Sequence, residues 1–229
     1  MSTPSAESRL RAFYDLRAEE EPASDPEALL RFRKAIDAAG LRAGERVLDV
    51  GAKRGGLGRF ARESGLALTY TGTDLSAENV TLAAKDGLDV REVDVSKQLP
   101  FPDAAFDCVF CLELLEHLVS PLGVLEEMRR VLVDDGRAVV SVPSPYSWVE
   151  VARELFHLPD TEGHLNAFTT PVMQNLAALA GFRIERRLGT SLRLPKTGRL
   201  VSTNSILARS RLYLLRPATS VVFAGRELS

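Results

Sequence analysis

From about residue 25 onward, the apolar positions switch between helical spacing and short unbroken runs. In SDPEALLRFRKAIDAAG, Leu29, Phe32 and Ile36 share one face, a proline stands in the first turn, and Gly40 marks the stop. ERVLDVG is then apolar on both faces, the pattern of a central parallel strand. A short helix follows it. LALTYTGTD, LDVREVDV, AFDCVFC, GRAVVSVPS and FRIERRLG read as strands two to six, and ATSVVFAG as a last strand. Between them lie helices in SAENVTLAAKDG, capped by Ser76, and in SPLGVLEEMRRVL. A further helix is expected in TTPVMQNLAALAGF, with Thr170 as cap, Pro171 at its start and Gly181 at its stop.

Strands alternating with helices predict an α/β fold, a doubly wound sheet covered on both faces. No internal repeat or linker divides the chain, so residues 1–229 read as a single domain. Residues 1–24 form an N-terminal helical extension in this reading, patterned only in ESRLRAFYDLRAEEE. Residues 191–216 form an insertion between the last two strands, far longer than a hairpin needs.

Length and composition add limits rather than direction. A chain of 229 residues, 45% hydrophobic and 26% charged, is an ordinary globular protein. Neither a bilayer-length apolar run nor a signal-peptide pattern is present, so a cytoplasmic address is the default expectation. The net charge of −2 is unevenly spread. Nine basic residues and no acid lie between Arg186 and Arg226, which leaves 20 basic and 31 acidic residues elsewhere. That asymmetry points to partners: an acidic acceptor, or contact with an anionic membrane surface through the basic C-terminal region. A specific nucleic-acid module is not expected. Cys108 and Cys111 have C-x-x-C spacing, but residues three apart on a strand face opposite ways, so both are expected as buried free thiols.

The first strand runs into VLDVGAKRGGLG, where a ligand of a doubly wound sheet would sit. The dinucleotide fingerprint G-x-G-x-x-G matches poorly, because Lys53 stands where the second glycine belongs. Asp49 would also point a charge at the pyrophosphate. A ligand with an ammonium, a carboxylate and a ribose but no phosphate fits better. Asp49 could hold the ammonium, and the helix N–H groups with Lys53 the carboxylate. Asp74, 25 residues after Asp49, could accept from both ribose hydroxyls, and Asp94 from an adenine amino group. That ligand is S-adenosylmethionine, with S-adenosylhomocysteine as product.

Here the chain resembles the class I S-adenosylmethionine-dependent methyltransferases of the small-molecule type, over roughly residues 45–188. The family's D-x-G-x-G-x-G reads Asp49, Gly51, Lys53, Gly55 at its defined positions, and Asp74 matches the ribose acid. VDVSKQLPFPDAAFDCVFCLELLEHL, EMRRVLVDDGRAVVSVPSP and GHLNAFTTPVMQNLAALAGF follow in the family's order. The resemblance implies a Rossmann-like, seven-stranded, mostly parallel sheet with one antiparallel strand near the C-terminus. It implies cofactor contacts from Asp49, Gly51, Ala52, Lys53, Gly55, Asp74, Leu75, Asp94, Val95 and Cys111. Lysine at the middle glycine either sits at negative φ with its chain turned outward or alters the pocket.

Methyl transfer from a sulfonium is mostly alignment, and a base is needed only where the acceptor must lose a proton. His117, after strand four, and His164, in a loop after strand five, are the catalytic candidates. His157 lies in the same connection as His164, and that pair makes no recognisable metal site. Glu113 could line the site, whereas Glu116 is expected to face solvent or to cap. The Asn/Asp-Pro-Pro-aromatic motif of adenine and amide methylases is missing after strand four. The leading reading is methyl transfer to a small-molecule oxygen or nitrogen, the acceptor being a sugar, lipid or secondary metabolite. Two rivals stand beside it, a non-catalytic nucleoside- or partner-binding domain and a dinucleotide oxidoreductase.

Overall fold

The computed structural model describes residues 8–9, 11–13, 25–193, 199–205, 207–223 and 226–228. Helix α1, Pro26–Ala39, starts where the Asp25 side chain accepts from the N–H groups of Glu27 and Ala28. It stops at Gly40, whose φ of 59° is the left-handed ending that glycine adopts without strain. There follow β1 (Arg46–Val50), α2 (Gly56–Glu63), β2 (Thr69–Asp74), α3 (Ala77–Lys85), β3 (Val90–Glu92) and β4 (Phe106–Leu112). Beyond the short 3-10 turn Leu115–His117 come α4 (Pro121–Val131), β5 (Leu132–Pro143), α5 (Trp148–Leu155), α6 (Thr170–Leu179) and β6 (Phe182–Gly189). The chain ends with β7 (Ser191–Arg193), β8 (Leu200–Ser202), β9 (Ser210–Pro217), β10 (Val221–Phe223) and β11 (Arg226–Leu228).

Seven strands form one sheet in the order β3-β2-β1-β4-β5-β9-β6. β9 runs antiparallel to both β5 and β6; the remaining neighbours are parallel. Each face carries its own core. Val47, Cys108, Phe110 and Val139 pack under Ala35, Ala38 and Ala39 of α1. Leu48, Val50, Val109 and Cys111 pack on the other side with Leu125 and Met128 of α4 and Met173 of α6. The two cysteines therefore lie on opposite faces, both fully buried and unpaired.

Three expectations change. The seventh strand of the sheet is Ser210–Pro217, inside the segment read as an insertion, and not ATSVVFAG. Leu212, Tyr213, Leu214 and Leu215 are all buried, as a strand between two others requires. Val221–Phe223 pairs instead with Arg226–Leu228 in a separate ribbon, with Val222 64% exposed. The 191–216 insertion thus reduces to the β7-β8 pair and its connections, ending before Ser210. The cap of α6 is Thr169, one residue earlier than expected, with its side chain accepting from Val172 N–H. Most of the 1–24 extension lies outside the described residues; 8–9 and 11–13 are helical. No described helix is long and apolar enough to cross a membrane.

Candidate functional site

The strand order reverses between β1 and β4, and the loops leaving β1, β2, β3 and β4 meet over their carboxyl ends. In the β1 loop Gly51, Lys53 and Gly55 have φ of 75°, 49° and 71°. Lys53 therefore keeps the left-handed backbone of the glycine it replaces, which rules out the first of its two expected settings, negative φ. A non-glycine residue there costs about 1–2 kcal/mol. Its N–H donates to Asp74 Oδ2 at 2.8 Å, which ties the loop to the end of β2. Gly51 is needed for close approach, since a Cβ there would lie 2.8 Å from the Leu114 side chain.

Asp49 is 4% exposed and accepts from the Tyr70 hydroxyl at 2.8 Å. Burial pushes its pKa up to about 7; the Tyr70 hydrogen bond opposes the rise and the Asp74 charge adds to it. Asp74 is likewise raised by burial, against the pull of Asn79, Ser76 and Lys53. Its Oδ1 accepts from Ser76 N–H and Asn79 Nδ2, both at 3.0 Å, and its Oδ2 from Lys53. Three of roughly four lone-pair sites are used, so one is left for a ligand hydroxyl rather than two.

Two adjoining cavities open here. The first, about 260 Å³, follows the sheet order: Asp94 and Val95 after β3, Asp74 and Leu75 after β2, Gly51 and Lys53 after β1. Beyond them it reaches Glu113, Leu114, Glu116 and His117 after β4, then Glu162, His164 and Arg209. The second, about 490 Å³, lies between α1 and α2 and takes in Asp49, Ala52, Phe32 and Phe60. Arg31, Gly51, Lys53 and Glu113 line both. The structure thus gathers eight of the expected site residues in the first cavity, and two more, Asp49 and Ala52, line only the second. Gly55 and Cys111 line neither. Cys111 is fully buried in the core, and the chain first lines the second cavity at Leu112 and the first at Glu113.

Glu113 is a fixed wall. Its φ is 53°, and its carboxylate accepts from Ser141 Oγ and Ser210 Oγ, both at 2.8 Å, with Arg31 Nη1 3.7 Å away. Glu116, expected at the surface, is 1% exposed, and burial with repulsion from Glu113 holds its carboxyl well above the usual range. What covers it is the loop before α6. Leu165 and Asn166 N–H donate to the Glu116 carbonyl at 2.7 and 3.0 Å, and Asn166 Nδ2 to the Leu118 carbonyl at 2.7 Å. That clip sets the His117 and His164 rings 5.0 Å apart. His117 Nδ1 lies 3.3 Å from the Gly163 carbonyl, while His164 stands between Asp160 and Glu162, each at 3.5 Å. His157 is exposed and belongs to neither cavity.

The sequence reading missed Arg31 and Glu162; Arg209 belongs to the basic C-terminal region that it read as facing an acidic acceptor. Arg31 sits one position before the helical stripe residue Phe32, and its own polarity hid it among surface charges. Arg209 pairs with Glu162 at 2.9 Å, so part of the basic C-terminal region is neutralised by acids elsewhere in the chain; Arg216 pairs with Glu185 in the same way. Arg193 and Lys196 have side chains outside the described residues.

The donor set fits an adenosyl amino acid and disfavours a pyrophosphate. Asp49, Asp74 and Asp94 crowd the place a diphosphate would occupy, and each burial cost would rise beside it. Asp49, held by a neutral hydroxyl, suits an ammonium. A doubly wound sheet of this order, with an acid at the end of β2 and a glycine-bearing loop after β1, defines the class I S-adenosylmethionine-dependent methyltransferase fold. The family described as Methyltransferase domain matches residues 18–186, and the chain belongs to it; the cofactor this implies is S-adenosylmethionine.

Similar proteins agree. The chain is 30% identical over 162 residues to a ubiquinone biosynthesis O-methyltransferase of Psychrobacter arcticus, covering 64% of this chain and 62% of that protein. It is 31% identical over 115 residues to 27-O-demethylrifamycin SV methyltransferase of Amycolatopsis mediterranei, covering 46% and 42%. The chain thus spans between two fifths and two thirds of the length of these relatives. Among solved structures, a SAM-dependent methyltransferase from Archaeoglobus fulgidus superposes with a TM-score of 0.68 at 18% identity, over 89% of this chain and 99% of that one, a likeness of fold.

Proposed function

We propose that this chain transfers a methyl group from S-adenosylmethionine to an oxygen of a small-molecule acceptor. The observation that carries the reading is one continuous cleft. Asp94, Asp74 and the β1 loop line one part, and the Glu116, His117, Glu162 and His164 cluster lines the other. The cofactor supplies an activated methyl group on a sulfonium, so the chain's task is to align three atoms and exclude water. Asp74 would hold the ribose, Asp94 the adenine edge, Asp49 the ammonium, and Arg31 with the N–H groups at the start of α2 the carboxylate.

An acceptor hydroxyl must lose its proton, and a group next to the reacting oxygen has to take it. His117 is the first choice. Its Nδ1 lies at hydrogen-bond distance from the Gly163 carbonyl, which favours a proton there and a lone pair on Nε2. His164 is the second. The names of two relatives refer to O-methylation and to 27-O-demethylrifamycin, which favours oxygen over nitrogen. Arg209 and Arg31 at the cavity favour an acceptor that carries an anionic group. A non-catalytic nucleoside-binding domain is the rival.

Formation of S-adenosylhomocysteine against a set of phenolic, quinol and sugar acceptors tests the reading. The expected result is product with a hydroxyl acceptor, lowered roughly a hundredfold in His117→Ala with cofactor affinity unchanged. Tight cofactor binding with no product from any acceptor would favour the rival.

A further inference from the structure

We propose that Glu116, His117 and His164 form a binding site for one divalent first-row transition metal ion, zinc by preference. The three residues come from two segments that the fold brings together. Glu116 and His117 stand on the 3-10 turn after β4, and His164 on the loop clipped to that turn through Leu165 and Asn166. One ligand atom from each lies within 4.8 Å of the others. Some point lies within about 2.8 Å of all three such atoms, so contraction by under about 1 Å reaches the 2.0–2.2 Å of zinc–nitrogen and zinc–oxygen bonds.

Burial supplies an independent reason. The Glu116 side chain is 2% exposed, and neither of its oxygens has a hydrogen-bond partner among the described residues. Among the described residues the basic atom that pairs with it is His117 Nε2 at 3.9 Å, too far for a hydrogen bond. A carboxylate taken out of water without donors costs several kcal/mol, and a cation among its neighbours removes that cost. The surroundings of both histidines match what metal-bound imidazoles have. The Gly163 carbonyl at 3.3 Å can hold the proton of His117 on Nδ1 and leave Nε2 as the ligand atom. Asp160 and Glu162 flank the two nitrogens of His164, so whichever nitrogen ligates, a carboxylate can orient the other.

Two imidazoles and one carboxylate are the donor set of open zinc sites, which keep a position for a further ligand. The same set is too nitrogen-rich for magnesium or calcium, which take oxygen. The other places where a metal could be sought give nothing comparable: Cys108 and Cys111 face opposite sides of the sheet, and His157 is exposed. Within the cleft a divalent ion acts as a Lewis acid that acidifies an acceptor hydroxyl, and with the ion bound this replaces the base role of His117, whose Nε2 is then a ligand. This consequence rests on the methyl-transfer reading; binding of the ion rests on the three side chains alone.

The test is a titration of the chelator-treated full chain with Co2+, followed by visible absorption, then displacement by Zn2+ with metal analysis. S-adenosylmethionine binding is measured on the same samples. One equivalent of Co2+ per chain with ligand-field bands is expected, displaced by one equivalent of Zn2+. Glu116→Gln and His164→Ala should each weaken binding at least about a hundredfold, and His157→Ala should bind like the parent. His164 lies on a loop, so that variant keeps the test decisive should Glu116→Gln fail to fold. Absence of binding overturns the site, and so does equal binding by the parent and His164→Ala. Metal binding without cofactor binding would leave the site standing and remove the methyl-transfer reading instead.

Discussion

The main-chain N–H of Lys53 donates to the Asp74 carboxylate at 2.8 Å, so the acid at the end of β2 braces the middle of the loop that leaves β1. The brace holds a lysine at φ 49°, where glycine would sit without strain.

Lys53→Gly relieves that strain and keeps the hydrogen bond, which is made by the backbone. The expected gain is about 1 kcal/mol, reduced in part by the greater freedom of glycine in the unfolded chain. Thermal denaturation should show a rise of about 2–4 °C for a chain of this size. Cofactor affinity should stay within about twofold of the parent. A tenfold loss would assign the Lys53 ammonium to the ligand carboxylate.

Asp49 predicts a pH dependence. Its folded pKa of about 7 stands above the ordinary 3.8, so the folded state favours the protonated acid. The stability this contributes is complete below about pH 4 and is lost as pH rises to about 7. Asp49→Asn removes the loss, and the stability gap in its favour should widen between pH 4 and 7 and then stay level. An ammonium beside Asp49 reverses the preference. Parental affinity for S-adenosylmethionine should therefore rise from pH 5.5 to about 7 and level off, whereas the Asn variant should bind weakly with a flat profile. Titration calorimetry across pH checks both, and identical profiles would remove Asp49 from the site.

The thiols should be inert. Burial pushes Cys108 up to about 12 and Cys111 well above its ordinary value, so thiolate is scarce at neutral pH. Ellman's reagent should find almost no reactive thiol in the native chain over an hour at pH 8 and two after denaturation. Rapid native labelling would mean that β4 opens.

How far the sequence could be read follows from what each signal depends on. Asp49, Gly51, Asp74, Asp94 and His117 were legible because strand ends and loop motifs are local, and one sheet topology carries them all to one edge. β9 was not. Its run Leu212–Leu215 lies among Arg209, Arg211 and Arg216, and those charges drew the reading toward a surface insertion. Pairing with β5 and β6, 67 to 77 residues and 22 to 35 residues earlier in the chain, is invisible to local pattern. Glu116 was misjudged for a related reason. Its burial depends on a loop nearly 50 residues later, and LEH beside a strand carries no sign of that cover. Cys111 was carried over from a motif, and here its side chain lies in the core, one residue before the chain first lines a cavity.

The central claim is that the cleft was built for an adenosyl amino acid and not for a dinucleotide. Calorimetric titration of the parent and Asp74→Ala with S-adenosylmethionine, S-adenosylhomocysteine and NAD tests it most directly. One equivalent of each adenosyl ligand is expected to bind the parent, with no heat from NAD. In folded Asp74→Ala, which loses the acceptor of three protein donors as well as a ribose contact, affinity should fall ten- to a hundredfold. Binding of NAD alone would contradict the account, as would unchanged affinity of Asp74→Ala for S-adenosylmethionine.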